Sequence, residues 1–234
     1  MNGAFMVVIP ARGGSKRAPR KNIRPLGNRP LLAFAIAAAV EAGLGDATRV
    51  STEDSEIAAT ATRLGCRVLP RPDALATDLA STESVLLHAL DEAAKQGWRP
   101  TWIMTLPPTS PFRRARTIRF FLDRASDAGV DCLFSVTETR ADLWRCDAAG
   151  KIARLFPDAP RRQQDRAPLY EENSAVYLTT VAALRATGSV LGESQRAVAI
   201  DPLEGFDINS EFDFAIASAL LAAEPAMEPR LVRG

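Results

Sequence analysis

Phe5-Met6-Val7-Val8-Ile9 is an uninterrupted apolar run that Pro10 stops, and a glycine- and proline-punctuated basic loop follows it at once. A strand that is apolar at every position is buried on both faces, the environment of a parallel sheet with helices on each side. The segments that follow keep to that plan. Residues 30–42 read as a helix ended by Gly43, 48–51 as a strand, 54–64 as a helix stopped by Gly65, and 66–69 as a strand before Pro70. Residues 81–96 read as a helix closed by Gly97, 101–106 as a buried strand, 114–128 as a helix and 131–137 as an apolar strand. This alternation predicts an α/β three-layer sandwich with a mostly parallel, Rossmann-like sheet, in which ligands sit outside the carboxyl ends of the strands. The pattern changes over about 140–170. There Trp144-Arg145-Cys146 and Lys151-Ile152-Ala153 flank an Asp147-Ala148-Ala149-Gly150 turn as a hairpin, and a Pro-, Arg- and Gln-rich stretch follows, all read as a small inserted arm. Late strands are expected at 174–179 and 196–200, a final helix at 209–223 capped by Asn209 or Ser210, and a frayed end over 224–234. At 234 residues the chain reads as one domain, 1–234, carrying that insertion.

Several kinds of chemistry are excluded early. Lys plus Arg number 29 against 28 for Asp plus Glu, so a net charge of +1 provides no bulk attraction to nucleic acid or anionic lipid, and neither is expected as a partner. The longest strongly apolar run, 31–40, falls well short of the roughly 20 residues that cross a bilayer. The first residues lack the basic region and cleavage site of an export signal, which makes the cytoplasm the expected location. Cys66, Cys132 and Cys146 are odd in number and never at C-x-x-C spacing, so they read as reduced and mostly packing. One histidine, His88, inside a helical pattern excludes paired-His metal sites and disfavours a Ser-His-Asp hydrolase. Catalysis must then rest on cations, carboxylates and backbone donors.

The loop after the first strand supplies them. Arg12, Lys16, Arg17, Arg20 and Lys21 place five cations within ten positions, beside a diglycine, Gly13-Gly14, whose backbone N–H groups an anion can approach closely. The run matches neither the P-loop nor the dinucleotide G-x-G-x-x-G pattern. A solvated basic surface loop is the alternative, but a position just after the first core strand favours an anion site, and the composition suits a triphosphate. Attack on the α-phosphorus of a nucleoside triphosphate needs cations that hold the leaving pyrophosphate, a role for Arg12, Lys16 and Lys21. Magnesium takes carboxylate and water oxygens, and the turn Phe206-Asp207-Ile208-Asn209 before the last helix presents Asp207 as a ligand, or alternatively as a helix-cap aspartate.

The run Ile9-Pro10-Ala11-Arg12-Gly13-Gly14-Ser15-Lys16-Arg17-x-Pro19-x-Lys21-Asn22-Ile23 resembles the N-terminal signature of the acylneuraminate cytidylyltransferases, the CMP-sialic acid synthetase family. The resemblance continues through Ser51-Thr52 and Ile57, Arg71-Pro72, Asp78-x-Ala80-Ser81-Thr82, Pro108-Thr109-Ser110-Pro111-Phe112-Arg113, Tyr170-x-x-Asn173-x-Ala175-Val176-Tyr177 and Asp207-Ile208-Asn209-x-x-x-Asp213, nearly the whole chain. It implies an α/β nucleotidyltransferase that takes CTP and a nine-carbon α-keto acid sugar, releases pyrophosphate and makes the CMP-sugar with Mg2+. It also implies a homodimer whose inserted arm reaches the neighbouring active site. On the matching positions it implies nucleotide contacts from Ala11, Gly13, Gly14, Ser15, Asn22, Arg71, Ala80 and Ser81. Thr109 and Asn173 join the substrate site, Arg162, Gln164 and Tyr170 belong to the arm, and Asp207 and Asn209 are the metal ligands. A capping role for Ser81 is compatible with this, a surface role for Arg71 is the alternative there, and a flexible polar loop is the alternative for the arm.

The departures fall on the acceptor side. The family glutamine before Pro-Thr-Ser-Pro, which contacts the acceptor sugar, is here Pro107. Ser-Thr-Asp becomes Ser51-Thr52-Glu53, Asn-Gly becomes Asn173-Ser174, and the second aspartate of Asp-x-Asp is Asn209. The resulting expectation is a cytidylyltransferase with an acidic acceptor, most readily a sialic-acid-like nonulosonic acid. A smaller acid such as a phosphonate is the alternative. So is 3-deoxy-manno-octulosonate, although the enzymes for that sugar lack the Gly-Gly-Ser-Lys run and have Lys-Pro in place of Lys21-Asn22. A nucleotide-binding module without turnover is the non-enzymatic alternative.

Overall fold

The computed structural model describes residues 4–14, 20–125 and 129–229. In chain order the strands are β1 (Phe5–Pro10), β2 (Pro25–Leu26), β3 (Arg29–Pro30), β4 (Thr48–Thr52), β5 (Arg67–Pro70) and β6 (Trp102–Thr105), followed by β7 (Cys132–Thr139), β8 (Trp144–Cys146), β9 (Ile152–Arg154), β10 (Leu169–Thr180) and β11 (Gln195–Ala199). The helices are α1 (Leu31–Glu41), α2 (Ser55–Arg63), α3 (Thr82–Lys95), α4 (Ala115–Arg124), α5 (Val181–Thr187) and α6 (Glu211–Ala223). Seven strands form one sheet in the order β11-β7-β10-β6-β1-β4-β5, and β10 alone runs antiparallel to its neighbours.

Alternate residues of the central strand feed two cores. Val7 and Ile9 of β1 point to the layer in which Leu32, Ile36, Ile57, Ile118 and Phe121 bury α1, α2 and α4. Met6 and Val8 point to the opposite layer, where Leu86, Leu90 and Leu184 bury α3 and α5. Each such aliphatic or aromatic side chain contributes about 1.5–3 kcal/mol through burial, so the continuous apolar runs are what hold helices on both faces. This is the three-layer, mostly parallel sandwich expected from the sequence. A third cluster joins Leu26, Leu31, Phe34 and Phe112 to Ile208, Phe214, Ala217 and Leu221, and it docks α6 beside the β2–β3 hairpin.

Helix signals read from the sequence hold closely. Asp54 caps α2 by accepting from Glu56 and Ile57 N–H at 2.8 and 2.9 Å. Of the two candidate caps for α6, Ser210 is used. Its Oγ accepts from Asp213 N–H at 3.2 Å while the Asp213 carboxylate accepts from Ser210 N–H at 2.8 Å, a reciprocal capping box. The short helix α5, unanticipated, is capped by Thr180, whose Oγ1 accepts from Ala183 N–H, and ends at Gly188 in the left-handed region at φ +66°. The end of the chain differs from expectation through residue 229. Pro225–Met227 forms a 3₁₀ turn, and the Glu228 carboxylate accepts from both the backbone and the side-chain amide of Asn28.

β7 and β10 continue past the sheet as a two-stranded ribbon, with Leu169 opposite Thr139, and residues 140–168 form its tip. The expected hairpin lies in this tip as β8 and β9, its turn closed by Asp147 Oδ1 accepting from Ala149 and Lys151 N–H. Asp142 organises the rest of the tip by pairing with Arg154, Arg161 and Arg166. Cys66 and Cys132 are buried free thiols, and burial pushes each up to about 11, leaving them protonated and inert at neutral pH. No helix among the described residues is long and apolar enough to cross a membrane.

Candidate active site

The loop that follows β1 leaves the sheet at its carboxyl edge. Ala11 is fully buried and its N–H donates to Ser51 at the end of β4 at 2.9 Å, which carries the chain outward between two parallel strands. Asn22, also buried, returns the far end of the loop by donating from Nδ2 to the Arg12 carbonyl at 2.9 Å. Gly13 N–H points to Glu53 Oε1 at 2.7 Å. Gly14 has open space on its Cβ side. Ser15, Lys16 and Arg17 lie outside the described residues.

A side chain at Gly13 would collide with the α2 cap, since a Cβ there would stand 2.5 Å from Asp54 Oδ2. Asp54 cannot swing aside without releasing the two helix N–H groups it accepts from. Gly13→Ala should therefore cost about 1 kcal/mol of stability by disturbing the cap. The variant should also lose about tenfold or more in affinity for the triphosphate expected of this loop, as calorimetric titration with CTP and a thermal melt would show. Wild-type affinity in the variant would mean that ligands do not need the close approach to Gly13.

One cavity of about 230 Å³ gathers Pro10, Arg12, Arg71, Thr77, Asp78, Ala80 and Ser81 among its lining. Arg12 pairs with Asp78 Oδ1 at 2.9 Å and donates to the Thr77 carbonyl at 3.2 Å, which pins the segment before α3 against the loop. Arg71 is buried, not a surface residue: its Nε donates to Ser51 Oγ at 3.1 Å and its Nη2 to the Ser51 carbonyl at 2.8 Å. Burial pulls its pKa below the ordinary arginine value, and the Glu53 carboxylate partly opposes that. Ser81 is the N-cap of α3, accepting from Ser84 N–H at 3.1 Å, so a capping role and a place on the cavity wall coexist.

The second half of the edge is the loop before α6. Ile208 is fully buried, its N–H donates to the Thr109 carbonyl at 2.9 Å, and its own carbonyl accepts from Lys21 Nζ at 2.5 Å. Lys21 thereby joins the basic loop to the segment of Asp207 and Asn209. Asp207 Oδ2 accepts from Asn209 Nδ2 at 2.6 Å, while Oδ1 is buried without a hydrogen-bond partner. The neighbouring Asp213 is held below the usual carboxylate range by the Ser210 hydroxyl first and the Asn209 N–H next. Among the described residues no three His, Cys, Asp or Glu side chains are grouped closely enough to hold a metal by themselves.

Arg113, absent from the expected site, anchors the loop between β6 and α4. It is buried, donates to the Pro107 carbonyl at 3.1 Å and to the Ala175 carbonyl, and is pushed down by burial to about 9. Asn173 sits at the bulge where β10 shifts register, next to Ser174 at φ +58°. Its amide is engaged by Ser135 Oγ, Thr137 Oγ1 and Ala175 N–H, and it packs where a Cβ on Gly205 would lie at 2.5 Å. Asn173 thus supports the loop leading to Asp207 from below. Arg162, Gln164 and Tyr170 lie exposed on the arm, and the cavity lining does not include them. Glu53, Asp78 and Arg113 were missed. The signal for Asp78 was its place in the Asp78-x-Ala80-Ser81-Thr82 motif.

The basic loop, the buried Arg71 and the acidic turn thus all lie at the carboxyl edge of the sandwich. The chain belongs to the cytidylyltransferase family, whose model matches residues 6–155. It is similar to the CMP-N,N'-diacetyllegionaminic acid synthase of Legionella pneumophila subsp. pneumophila, 29% identical over 93% of this chain and 96% of that one. It is also similar to the N-acylneuraminate cytidylyltransferase of Escherichia coli O18:K1:H7, at 27% identity over 93% of this chain, which spans about half (52%) of that longer protein. The resemblance carried by the motifs is thereby borne out. In fold it matches the solved structure of CMP:2-keto-3-deoxy-manno-octonic acid synthetase complexed with CTP, with a TM-score of 0.68 at 16% identity, covering 94% of this chain and 99% of that one.

Proposed function

We propose that the protein is a cytoplasmic, magnesium-dependent homodimer that transfers CMP from CTP to a nonulosonic acid and releases pyrophosphate. The observation that carries this reading is the cavity shared by Arg12, Arg71 and Ser81, with Lys21 tying its basic loop to the Ile208 carbonyl, next to Asp207. In the reaction an acceptor hydroxyl oxygen forms a bond to the α-phosphorus while the bond from that phosphorus to the pyrophosphate oxygen breaks. Arg12, Lys16 and Lys21 hold the departing pyrophosphate, Arg71 with Ala80 and Ser81 receives the nucleoside, and Gly13 and Gly14 let phosphate approach the backbone. Asp207 is the metal-binding carboxylate, because its buried, unpartnered Oδ1 is the kind of atom a hard cation satisfies, and Asn209 stands beside it. Magnesium keeps several waters and takes one or two carboxylates with substrate phosphates. When bound, the metal neutralises charge on the phosphates.

The homodimer is supported by the arm. Leu143, Trp144, Ile152, Leu155 and Phe156 are each more than 40% exposed on it, an apolar surface that a monomer would leave in water. Arg162, Gln164 and Tyr170 share this arm, where a guanidinium suits the acceptor carboxylate of the neighbouring subunit. The acid sugars in the names of the relatives support the acceptor class.

Pro107 favours a second reading in which the acceptor is a different acid, such as a phosphonate. Its ring has no donor, and its carbonyl already accepts from Arg113 at 3.1 Å. An acceptor group left unpaired here loses about 1–3 kcal/mol, which weakens N-acetylneuraminate by roughly 5- to 150-fold. The test measures pyrophosphate release with CTP, magnesium and a panel of nonulosonic acids, 3-deoxy-manno-octulosonate and phosphonates, in wild type and Pro107→Gln. N-acetylneuraminate should be a poor substrate that Pro107→Gln improves. CTP binding without release for any acceptor would reduce the protein to a nucleotide-binding module.

A further inference from the structure

Glu53 follows Ser51 and Thr52 at the carboxyl end of β4, facing the diglycine of the basic loop. Its carboxylate uses one oxygen only. Oε1 accepts from Gly13 N–H at 2.7 Å, whereas Oε2 is buried and has no hydrogen-bond partner among the described residues. Arg71, whose charge Glu53 feels, spends its Nε and Nη2 on Ser51, and among the described residues Glu53 has no direct ion pair. Asp54 lies on the same side, with Oδ2 close against Gly13. The loop that is richest in cations thus has its glycine amide facing carboxylates of its own chain. A buried carboxylate oxygen without a partner is an exception that calls for an explanation, and it leaves that side of Glu53 weakly anchored.

A backbone N–H has one proton to donate. A phosphate oxygen arriving at Gly13 meets an amide already taken and a like charge within hydrogen-bonding reach of the same proton. We propose that Glu53 is an internal anion that occupies the Gly13 phosphate subsite in the nucleotide-free protein and leaves it when CTP binds, so that its charge sets the affinity for the triphosphate. This rests on the reading of the basic loop as the CTP phosphate site. It assigns Glu53 to binding selectivity: a ligand must bring enough negative charge to displace the carboxylate, and a nucleoside without phosphates gains nothing from displacing it. The competing geometry is one in which Glu53 keeps its bond to Gly13 and shapes the loop for the ligand, and it predicts changes of opposite sign.

Glu53→Gln separates the two. Glutamine has nearly the same volume and keeps a carbonyl oxygen for Gly13 N–H, but removes the charge. Calorimetric titration of the full chain with CTP in magnesium buffer should show binding about five- to tenfold tighter in Glu53→Gln, the scale of one relieved repulsion near the surface. Cytidine should bind the variant and wild type alike. A crystal structure of the wild-type CTP complex should place Gly13 N–H on a phosphate oxygen with Glu53 turned away, and this arm needs no variant to fold. Unchanged or weaker CTP binding by Glu53→Gln overturns the proposal while leaving the CTP site standing, as does a complex in which Glu53 still holds Gly13. Failure of the wild type to bind CTP removes the site reading and this proposal together.

Discussion

Lys21→Ala should lower kcat/KM for CMP transfer by about 100- to 1000-fold, the effect of removing one well-placed donor of charge to a transition state, worth about 2.7–4 kcal/mol. The structure sharpens what the substitution does to the fold. Lys21 Nζ donates to the Ile208 carbonyl at 2.5 Å and connects the 3₁₀ turn Lys21–Ile23 to the loop before α6. Loss of that bond costs about 1.5–3 kcal/mol, the range for a hydrogen bond with a charged partner, reduced by the access of water to this half-buried side chain. The variant should therefore fold, melt somewhat earlier and turn over very slowly. Steady-state pyrophosphate release alongside a thermal melt makes the comparison. A rate within about threefold of wild type, less than 0.7 kcal/mol of barrier, would remove Lys21 from the reacting end of the site.

How much of this was legible depends on which physical signal each part leaves in one sequence. The parallel core was readable because β1 and β6 are buried and show as apolar runs, and because Gly43, Gly65 and Gly97 end the helices. The antiparallel course of β10 was not. Its first half, Leu169 to Glu172, pairs only with β7, and its mostly exposed polar residues carry no burial pattern. Helix α5 is too short for a periodic signal, although Thr180 and Gly188 bracket it. In the site, Arg12 and Lys21 could be singled out from the cluster of cations after the first strand and Asp207 from its turn before the last helix, whereas Arg71 came only from the family resemblance. Arg113 stands in the Pro108-Thr109-Ser110-Pro111-Phe112-Arg113 motif, but only the packed loop shows it donating to the Pro107 and Ala175 carbonyls. Glu53 was visible only as a departure from Ser-Thr-Asp. That its carboxylate meets Gly13 depends on two parallel strands ending side by side, with Ala11 bonded to Ser51.

The same separation of stability from activity gives the second large effect, at Asp207. Its Oδ1 is buried with no partner, and an unsatisfied buried acceptor costs about 1–3 kcal/mol, more when it carries charge. Asp207→Asn removes the negative charge while keeping the side-chain shape and one carbonyl oxygen to accept from Asn209 Nδ2, which now lies at 2.6 Å. The fold should tolerate the change, with a melting temperature equal to or above that of wild type, because one of the two carboxylate oxygens is buried without a hydrogen-bond partner among the described residues. Activity should move the other way. With the carboxylate gone, the proposed magnesium ligand is reduced to two neutral amides at positions 207 and 209, and kcat/KM should fall by about 100-fold or more, on the scale of one lost electrostatic contact in a transition state. Raising magnesium should recover part of the rate, since weaker coordination shifts the metal dependence to higher concentration. The measurements are pyrophosphate release against magnesium concentration and a melt with and without the metal. In wild type magnesium should raise the melting temperature, and in Asp207→Asn that rise should vanish. A variant that is destabilised but turns over normally at low magnesium would make Asp207 a support for the start of α6 and place the metal elsewhere.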